Sequence, residues 1–279
     1  MTPSHKLADL HTHTTSSDGR DTPAELVQRA QSSSLGAIAI TDHDTVDAHL
    51  ALASGSTQIL RVIPGIEMST NVGTAEIHVL GYFIDVTSPY LADQLAALRQ
   101  QRLRRVERFC ARLTELGLPL TMADVLAEAT GESVGRPHIA RAMIKRDYVS
   151  SVNEAFDRFL AGGRPGFVPR DDVTPESAID LIHKSGGVAV LAHPYTTGDP
   201  AGTMDRLLKC GLDGTEVEYG AYDEHDRAYL RALANERSLI AAGGSDFHGL
   251  DHRESTPLGA GGVSFDIVDQ LHARSGQYR

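Results

Sequence analysis

PESAIDLIHKSGGVAVLAHP, residues 175–194, reads as a helix followed by a strand. Apolar residues recur at helical spacing in its first half, which stops at Gly186-Gly187. Its second half is a short apolar run that ends in His193-Pro194. The unit repeats downstream: MDRLLKCG (204–211) leads into TEVEYG (215–220), and DEHDRAYLRALANERS (223–238) into LIAAGGSDFHG (239–249). It also runs upstream. ADLHTHTTSSDG (8–19) opens with a strand-like run, PAELVQRAQSSS (23–34) is helical behind a Thr22-Pro23 start, and GAIAITDHD (36–44), RVIPGIEMST (61–70) and AEIHVLGYF (75–83) follow. This β-α repetition predicts a parallel α/β architecture, a barrel. Nearly every apolar run ends in His, Asp or Glu, and the C-terminal ends of barrel strands are where active sites sit.

Residues 90–165 break the rhythm. LADQLAALRQQRLRRVERFCARLTELG (91–117) predicts one long helix ended by Gly117, and shorter helices follow in TMADVLAEAT, RPHIARAMIKRDYV and VNEAFDRFL, with no strand between them. The expected organisation is a barrel of residues 1–89 and 166–279 with residues 90–165 as a helical insertion over its mouth.

The chain has 279 residues, 41% hydrophobic and 23% charged, which suits a globular enzyme with a sizeable core. No run of 18 apolar residues occurs, so no membrane span is expected. The stretch MTPSHKLADLHTH has no apolar signal region, and a cytoplasmic location is expected. Cys110 and Cys210 read as free buried thiols rather than a disulfide. A net charge of −11 argues against a protein that holds nucleic acid by general electrostatics. The charge is uneven: residues 90–165 hold 12 Lys/Arg and 9 Asp/Glu, leaving 14 and 28 for the rest. An acidic body beside a mildly basic segment suits a metal site facing a segment that receives an anion, and equally suits two solvated surfaces. The stripe Arg102, Arg105, Arg108 and Arg112 reads as an exposed solvated face.

The polar strand ends form a set. They are His11, His13 and Asp18; His43; Glu67; His78; His193; and Asp246 with His248, six histidines and three carboxylates on His11, His13, His43, His78, His193, His248, Asp18, Glu67 and Asp246. His11 and His13 share a side by strand alternation, as does Asp9. One histidine on an apolar strand is usually a satisfied core residue. Nine such groups buried together without a counterion would cost several kcal/mol in desolvation and repulsion, roughly. A cluster of two or three divalent ions resolves this, and imidazole with carboxylate suits Zn, Mn or Fe. Such ions bring roughly +4 to +6 against three carboxylates, so the site would hold a bridging hydroxide and attract an anion such as phosphate.

HTH with Asp18 downstream, TDHD, the Glu67 and His78 pair, AHP and SDFHG together resemble the PHP (polymerase and histidinol phosphatase) superfamily, nearly end to end along the barrel. GRPHIARAM and FLAGGRPGFV resemble its subgroup of 3′,5′-nucleoside bisphosphate phosphatases, whose related members also trim short RNA from the 5′ end. The resemblance implies a distorted (β/α)7 TIM-like barrel with a small helical insertion. It implies that His11, His13, Glu67 and Asp246 serve one metal, that Glu67 bridges to a second completed by His78 and His193, and that Asp18, His43 and His248 hold a third. Asp9 and Asp42 either orient imidazoles or are solvated strand ends.

The expected activity is hydrolysis of a phosphate monoester on a small nucleotide, the 3′-phosphate of 3′,5′-nucleoside bisphosphates, by a metal-bridged hydroxide. His193, Asp246 and His248 are the catalytic candidates. Arg136, His138 and Arg164 would bind a second phosphate, with helix capping or local ion pairs as the alternative. The competing readings are a 5′-3′ exoribonuclease on short RNA, a histidinol phosphatase, and a non-catalytic metal-stabilised interaction domain. The expected partner is the small phosphorylated substrate, with no membrane and no stable protein partner. His5, His49, His183, His225, His252 and His272 receive no role.

Overall fold

The computed structural model describes residues 7–53, 60–73, 75–129, 131, 133–169, 173–249 and 256–278. Strands β1 (Ala8–Thr12), β2 (Ala37–Ile40), β3 (Arg61–Val72), β4 (Ala75–Tyr82), β5 (Val188–Leu191), β6 (Gly214–Tyr219) and β7 (Ile240–Gly244) pair in sequence order in one 7-stranded sheet. The sheet curls until its ends meet. The amide of Asp246 donates to the His11 carbonyl and that of His13 to Phe247, each at 2.9 Å, so the residues after β7 close onto β1. Side chains of β1–β5 and β7 converge in one apolar cluster with Val268 and Leu271 of a C-terminal helix, Phe265–Ser275, which fills the barrel and shuts one end.

The expected all-parallel order is corrected at one place. β4 runs antiparallel to both β3 and β5, whereas the other pairs are parallel. The reason is the link between β3 and β4: Val72 pairs with Ala75, and Gly73 sits at φ +61 in the turn. A tight turn can only return the chain antiparallel, because a parallel crossover needs a dozen residues or more.

Helices α1 (Pro23–Ser32) and α2 (Asp47–Ala53) cover β2. Thr22 and Glu25 cap α1 reciprocally with Pro23 in the first turn, as the sequence indicated. Next along the chain comes α3 (Pro89–Glu115), which stops at Leu116 and Gly117, the latter at φ +79. α4 (Met122–Leu126), α5 (Arg136–Lys145) and α6 (Val152–Ala155) follow, α6 continuing into a π-helical turn, Phe156–Leu160. α3–α6 share a separate apolar core built on Phe109, Leu113, Ile139 and Met143. The outer wall is completed by α7 (Pro175–Lys184), α8 (Pro200–Leu208) and α9 (Glu224–Glu236), packed on β3–β6. No helix among the described residues is long and apolar enough to cross a membrane.

Two surface readings change. Arg102 and Arg105 are buried, not solvated: Arg102 bonds Asp44 and Ser69, and Arg105 bonds the Val168 carbonyl and Glu76. The stripe is one face of α3, and that face is turned toward the barrel, where carboxylates distant in sequence meet it. Arg112, on the same stripe, stays exposed beside Glu115, as expected. Cys110 is a buried free thiol, but Cys210, in the turn after α8, is free and exposed.

A Cβ added at Gly244 would lie 2.4 Å from the His11 amide nitrogen and 2.5 Å from its Cβ. Gly244→Ala is therefore expected to part the seam between β7 and β1 and to cost about 1–3 kcal/mol in urea-unfolding free energy, as overpacking does. An unchanged unfolding midpoint would mean that the seam does not hold the barrel shut.

Candidate metal centre

The nine polar residues picked from the strand ends meet at one end of the barrel. Glu67, on β3 and buried, is their common neighbour. Its Oε2 lies 3.4, 3.3 and 3.0 Å from ring nitrogens of His11, His13 and His43. Its Oε1 lies 2.8 Å from His78 Nδ1 and 3.2 Å from His193 Nε2. Asp246 Oδ1 is 3.2 Å from His11 Nε2, 3.1 Å from His13 Nε2 and 3.5 Å from His248 Nδ1. Asp18 completes the flank, with Oδ1 3.4 Å from His248 Nε2 and Oδ2 3.8 Å from His43 Nε2.

The backbone is bent to achieve this. His193 and Asp246 adopt φ of +25° and +55°, and Asp44, beside His43, adopts +52°. Such conformations are disfavoured for residues with a Cβ and concentrate where a site requires them. β3 and β4 supply Glu67 and His78 from the antiparallel hairpin, with Ser69 opposite His78.

The charges are mutually dependent. Burial alone would raise the carboxyl groups, but the surrounding imidazoles hold Asp18, Glu67 and Asp246 well below the usual carboxylate range. Burial would lower His11, yet Glu216, Asp246 and Glu67 push it well above the usual histidine value. His13 is pushed up to about 10, against burial, by Asp246 and Glu67. Burial drives His43 down to about 3. Nε2 of His11, both ring nitrogens of His13 and Oε2 of Glu67 are nevertheless buried without an aligned hydrogen-bond partner. Such orphaned polar atoms are costly in a protein interior. Their donor set fits divalent cations, which would take up the lone pairs and balance the carboxylates. Three overlapping groups have converging donor atoms: His11, His13 and Asp246; His43, Glu67 and His78; and His13, Asp18, His43 and His248. His13 and His43 each belong to two groups, so His43 joins the Glu67–His78 pair as well as the Asp18 flank.

Among the described residues, neither Asp9 nor Asp42 hydrogen-bonds an imidazole ring, and both are buried. Asp9 accepts from the amides of His11, Ser245 and Gly259, and Asp42 accepts from Thr14 and Ser17. The carboxylate that fixes an imidazole of the cluster is Glu216 on β6, which sequence reading missed. It is fully buried; His11 Nδ1 donates to its Oε1 at 2.9 Å, and the His193 amide to its Oε2 at 2.6 Å. With Nδ1 so engaged, Nε2 of His11 is the ring atom that would be left to a metal ion. The available signal was a pair of charges, Glu216 and Glu218, two residues apart in the strand-like TEVEYG run. Tyr219 was missed too; its hydroxyl donates to Asp246 Oδ2 at 2.7 Å.

Arg136 and His138 line a cavity together with Asp18, His43 and His78. Arg136 is bound to Glu76 and lies over the Phe156 ring. His138 is not a cation: burial, with Arg141 near it, lowers it to about 4, and its Nδ1 accepts from the Gly135 amide. Arg164 is exposed and does not line that cavity. His49, buried, is taken up by the backbone of Ile40 and Gly65, and His183 by Asp213. His5 and His252 lie outside the described residues.

Residues 9–240 match the family model of the PHP domain, and the chain belongs to that family. It is a metal-dependent phosphoesterase, a hydrolase. It is 40% identical over 250 residues to the 5′-3′ exoribonuclease Rnm of Escherichia coli, covering 87% of this chain and 85% of that one. It is 31% identical over 246 residues to the 3′,5′-nucleoside bisphosphate phosphatase of Chromobacterium violaceum, covering 86% of each. The solved structure of a candidate metal-dependent phosphoesterase from Bifidobacterium adolescentis superposes with a TM-score of 0.85 at 30% identity, covering 98% of this chain and 97% of that one.

Glu216→Gln keeps the shape but weakens the acceptor for His11. Metal affinity of the folded protein, measured calorimetrically with Mn, is expected to fall about 10- to 100-fold, as for other carboxylates that orient a metal-bound histidine. Stripping metal with a chelator is expected to lower Tm, and adding Mn back to raise it in proportion to the logarithm of free metal. A Tm indifferent to metal would remove the cluster as a metal centre.

Proposed function

We propose that the protein hydrolyses the 3′-phosphoester of a small nucleotide that also carries a 5′-phosphate, with 3′,5′-nucleoside bisphosphates as the simplest substrate. The reading includes two or three Mn, Zn or Fe ions held by His11, His13, Asp18, His43, Glu67, His78, His193, Asp246 and His248. The observation that carries it is the cavity in which Asp18, His43 and His78 of the cluster face Arg136 and His138 of α5. A phosphorylated ligand can there touch the metal ligands and the helical layer at once. The relative named as a bisphosphate phosphatase supports the substrate class.

When bound, the divalent ions supply Lewis acidity and a water activated for attack. The chain's own residues do the rest. Tyr219 fixes one oxygen of Asp246 and leaves the other facing His11 and His13. His193 is held by Thr196 at Nδ1 and meets Glu67 at Nε2, so its ring is aimed into the cluster. His138, neutral, offers an Nε2–H to a phosphate oxygen, while Arg136, steadied by Glu76, adds directional charge.

A second reading, 5′-3′ hydrolysis of short RNA, is favoured by the higher identity to proteins named as 5′-3′ exoribonucleases. The chemistry joins the two. Removing the 3′-phosphate of a bisphosphate and releasing the first nucleotide of an RNA as a 5′-mononucleotide both break the P–O3′ bond of a 5′-phosphorylated nucleoside. Only the group attached to the far side of phosphorus differs.

Phosphate release and RNA shortening by the manganese-loaded protein should be compared on 3′,5′-adenosine bisphosphate, histidinol phosphate and a 5′-phosphorylated short RNA. Turnover of the bisphosphate, of the RNA or of both is expected, with histidinol phosphate spared. Asp246→Asn should reduce kcat/KM by roughly 100-fold or more while the circular dichroism spectrum is retained. Preferential turnover of histidinol phosphate would sink the nucleotide reading.

A further inference from the structure

Two cavities lie against the cluster, and their walls differ in charge. The one already described is lined by Arg102 and Arg136 as well as by imidazoles. The second, of about 310 Å³, is lined by Asp18 and His248 of the cluster and by Val152, Asn153, Phe156 and Asp157 of α6 and the π-helical turn. No lysine or arginine is among the described residues that line it. Its size matches the lower range of small-molecule sites.

Phe156 lines both cavities. The Arg136 guanidinium lies over its ring, 5.2 Å from the centroid, and Arg136 lines the first cavity only. Phe156 therefore stands between a basic compartment and one that brings two carboxylates, Asp18 and Asp157. Asp18 is taken up by the imidazoles of the cluster. Asp157 is exposed, and among the described residues its carboxylate makes no hydrogen bond and no ion pair within 4.0 Å. Phe156 and Asp157 open the π-helical turn, a rare geometry that is frequent at functional sites. Such a wall repels a phosphate. It suits a flat, uncharged ring that stacks on phenylalanine and donates an N–H to a carboxylate, as a nucleobase with an exocyclic amino group does.

We propose that the second cavity receives the nucleobase of the substrate, stacked on Phe156, and that Asp157 selects bases whose exocyclic amino group donates to its carboxylate. This rests on the preceding reading of a nucleotide substrate. Cytosine presents its N4 amino group as a donor where uracil presents the O4 acceptor. Against Asp157 the first gains a charge-assisted hydrogen bond, and the second meets a partial charge of like sign. Phosphate and base are thereby sorted to opposite sides of Phe156, and a uracil nucleotide is the poorer substrate.

The test compares the 3′,5′-bisphosphates of cytidine and uridine on the manganese-loaded full chain. kcat/KM is expected to favour cytidine about 10-fold, the size of one charge-assisted hydrogen bond. Asp157→Asn, whose amide can accept from cytosine or donate to uracil, should bring the ratio to about 1. Asp157 is exposed, so its variant tests the site without burdening the fold. Equal kcat/KM values in the wild type, or a preference that survives in Asp157→Asn, would overturn selection by Asp157. Phe156→Leu tests the stack. Its affinity for 5′-CMP, measured by calorimetry, should fall about 10-fold, while that for ribose 5-phosphate, which has no base, stays level. Phe156 also carries Arg136, so an equal fall for both ligands would assign the ring to Arg136 and overturn the stack. If the wild type hydrolyses neither bisphosphate, the cleavage reading fails. The base site then stands if 5′-CMP binds about 10-fold tighter than 5′-UMP and Asp157→Asn removes that margin, and it falls if the two bind alike.

Discussion

Glu67 is the group on which the rest is arranged. One fully buried carboxylate lies within 3.4 Å of ring nitrogens from five histidines. Those histidines come from β1 and the residue that follows it, from the segment after β2, from β4 and from the segment after β5. A buried charge with that many neighbours cannot be placed by one strand. It requires the sheet to curl, because His11 of β1 and His193 after β5 each reach Glu67 on β3 past an intervening strand, and closure then brings Asp246, after β7, against His11 and His13. The hydrogen bonds from Asp246 to His11 and from His13 to Phe247 are thus part of the site as much as of the fold.

The helical layer answers the same electrostatic need from outside. α3 sends Arg102 down to Asp44 and Arg105 to Glu76, and α5 sends Arg136 to the same Glu76. Asp44 also receives the Ser69 amide, so the loop carrying His43 is fixed from two sides. These pairs are buried or half-buried, where losing one partner is far more costly than at the surface. They dock the helical layer on the barrel mouth and leave the cavities between the two. The layer keeps its own apolar core, so the docking is polar and the packing inside the layer is apolar.

This division suits a phosphoesterase. The barrel end gathers imidazoles and carboxylates, which need rigid placement, while the layer above adds Arg136 and His138 to the cavity beside them. Shape on that side can change without disturbing the cluster. Removing a terminal phosphate and trimming an RNA need the same bond broken. What separates them is the room left beyond the scissile phosphate.

Much of this was legible in the chain itself. Period-two and helical spacing gave the strands and helices, and the recurrence of His, Asp and Glu along the apolar runs singled out His11, His13, Asp18, His43, Glu67, His78, His193, Asp246 and His248, although Glu67 and His78 lie within β3 and β4 rather than at their ends. Tertiary structure alone decided the remainder. β4 turned antiparallel because a tight turn left it no alternative. Glu216 became the partner of His11 because β6 lies beside β5 and faces the cluster, a neighbour relation with no trace in either segment. Arg102 and Arg105 looked like solvated charge until α3 was laid on Asp44 and Glu76. A residue's periodicity reports which face of its own element it occupies. What that face meets depends on chain folded from elsewhere, and for charged groups that meeting determines whether they are solvated, paired or left free for a ligand.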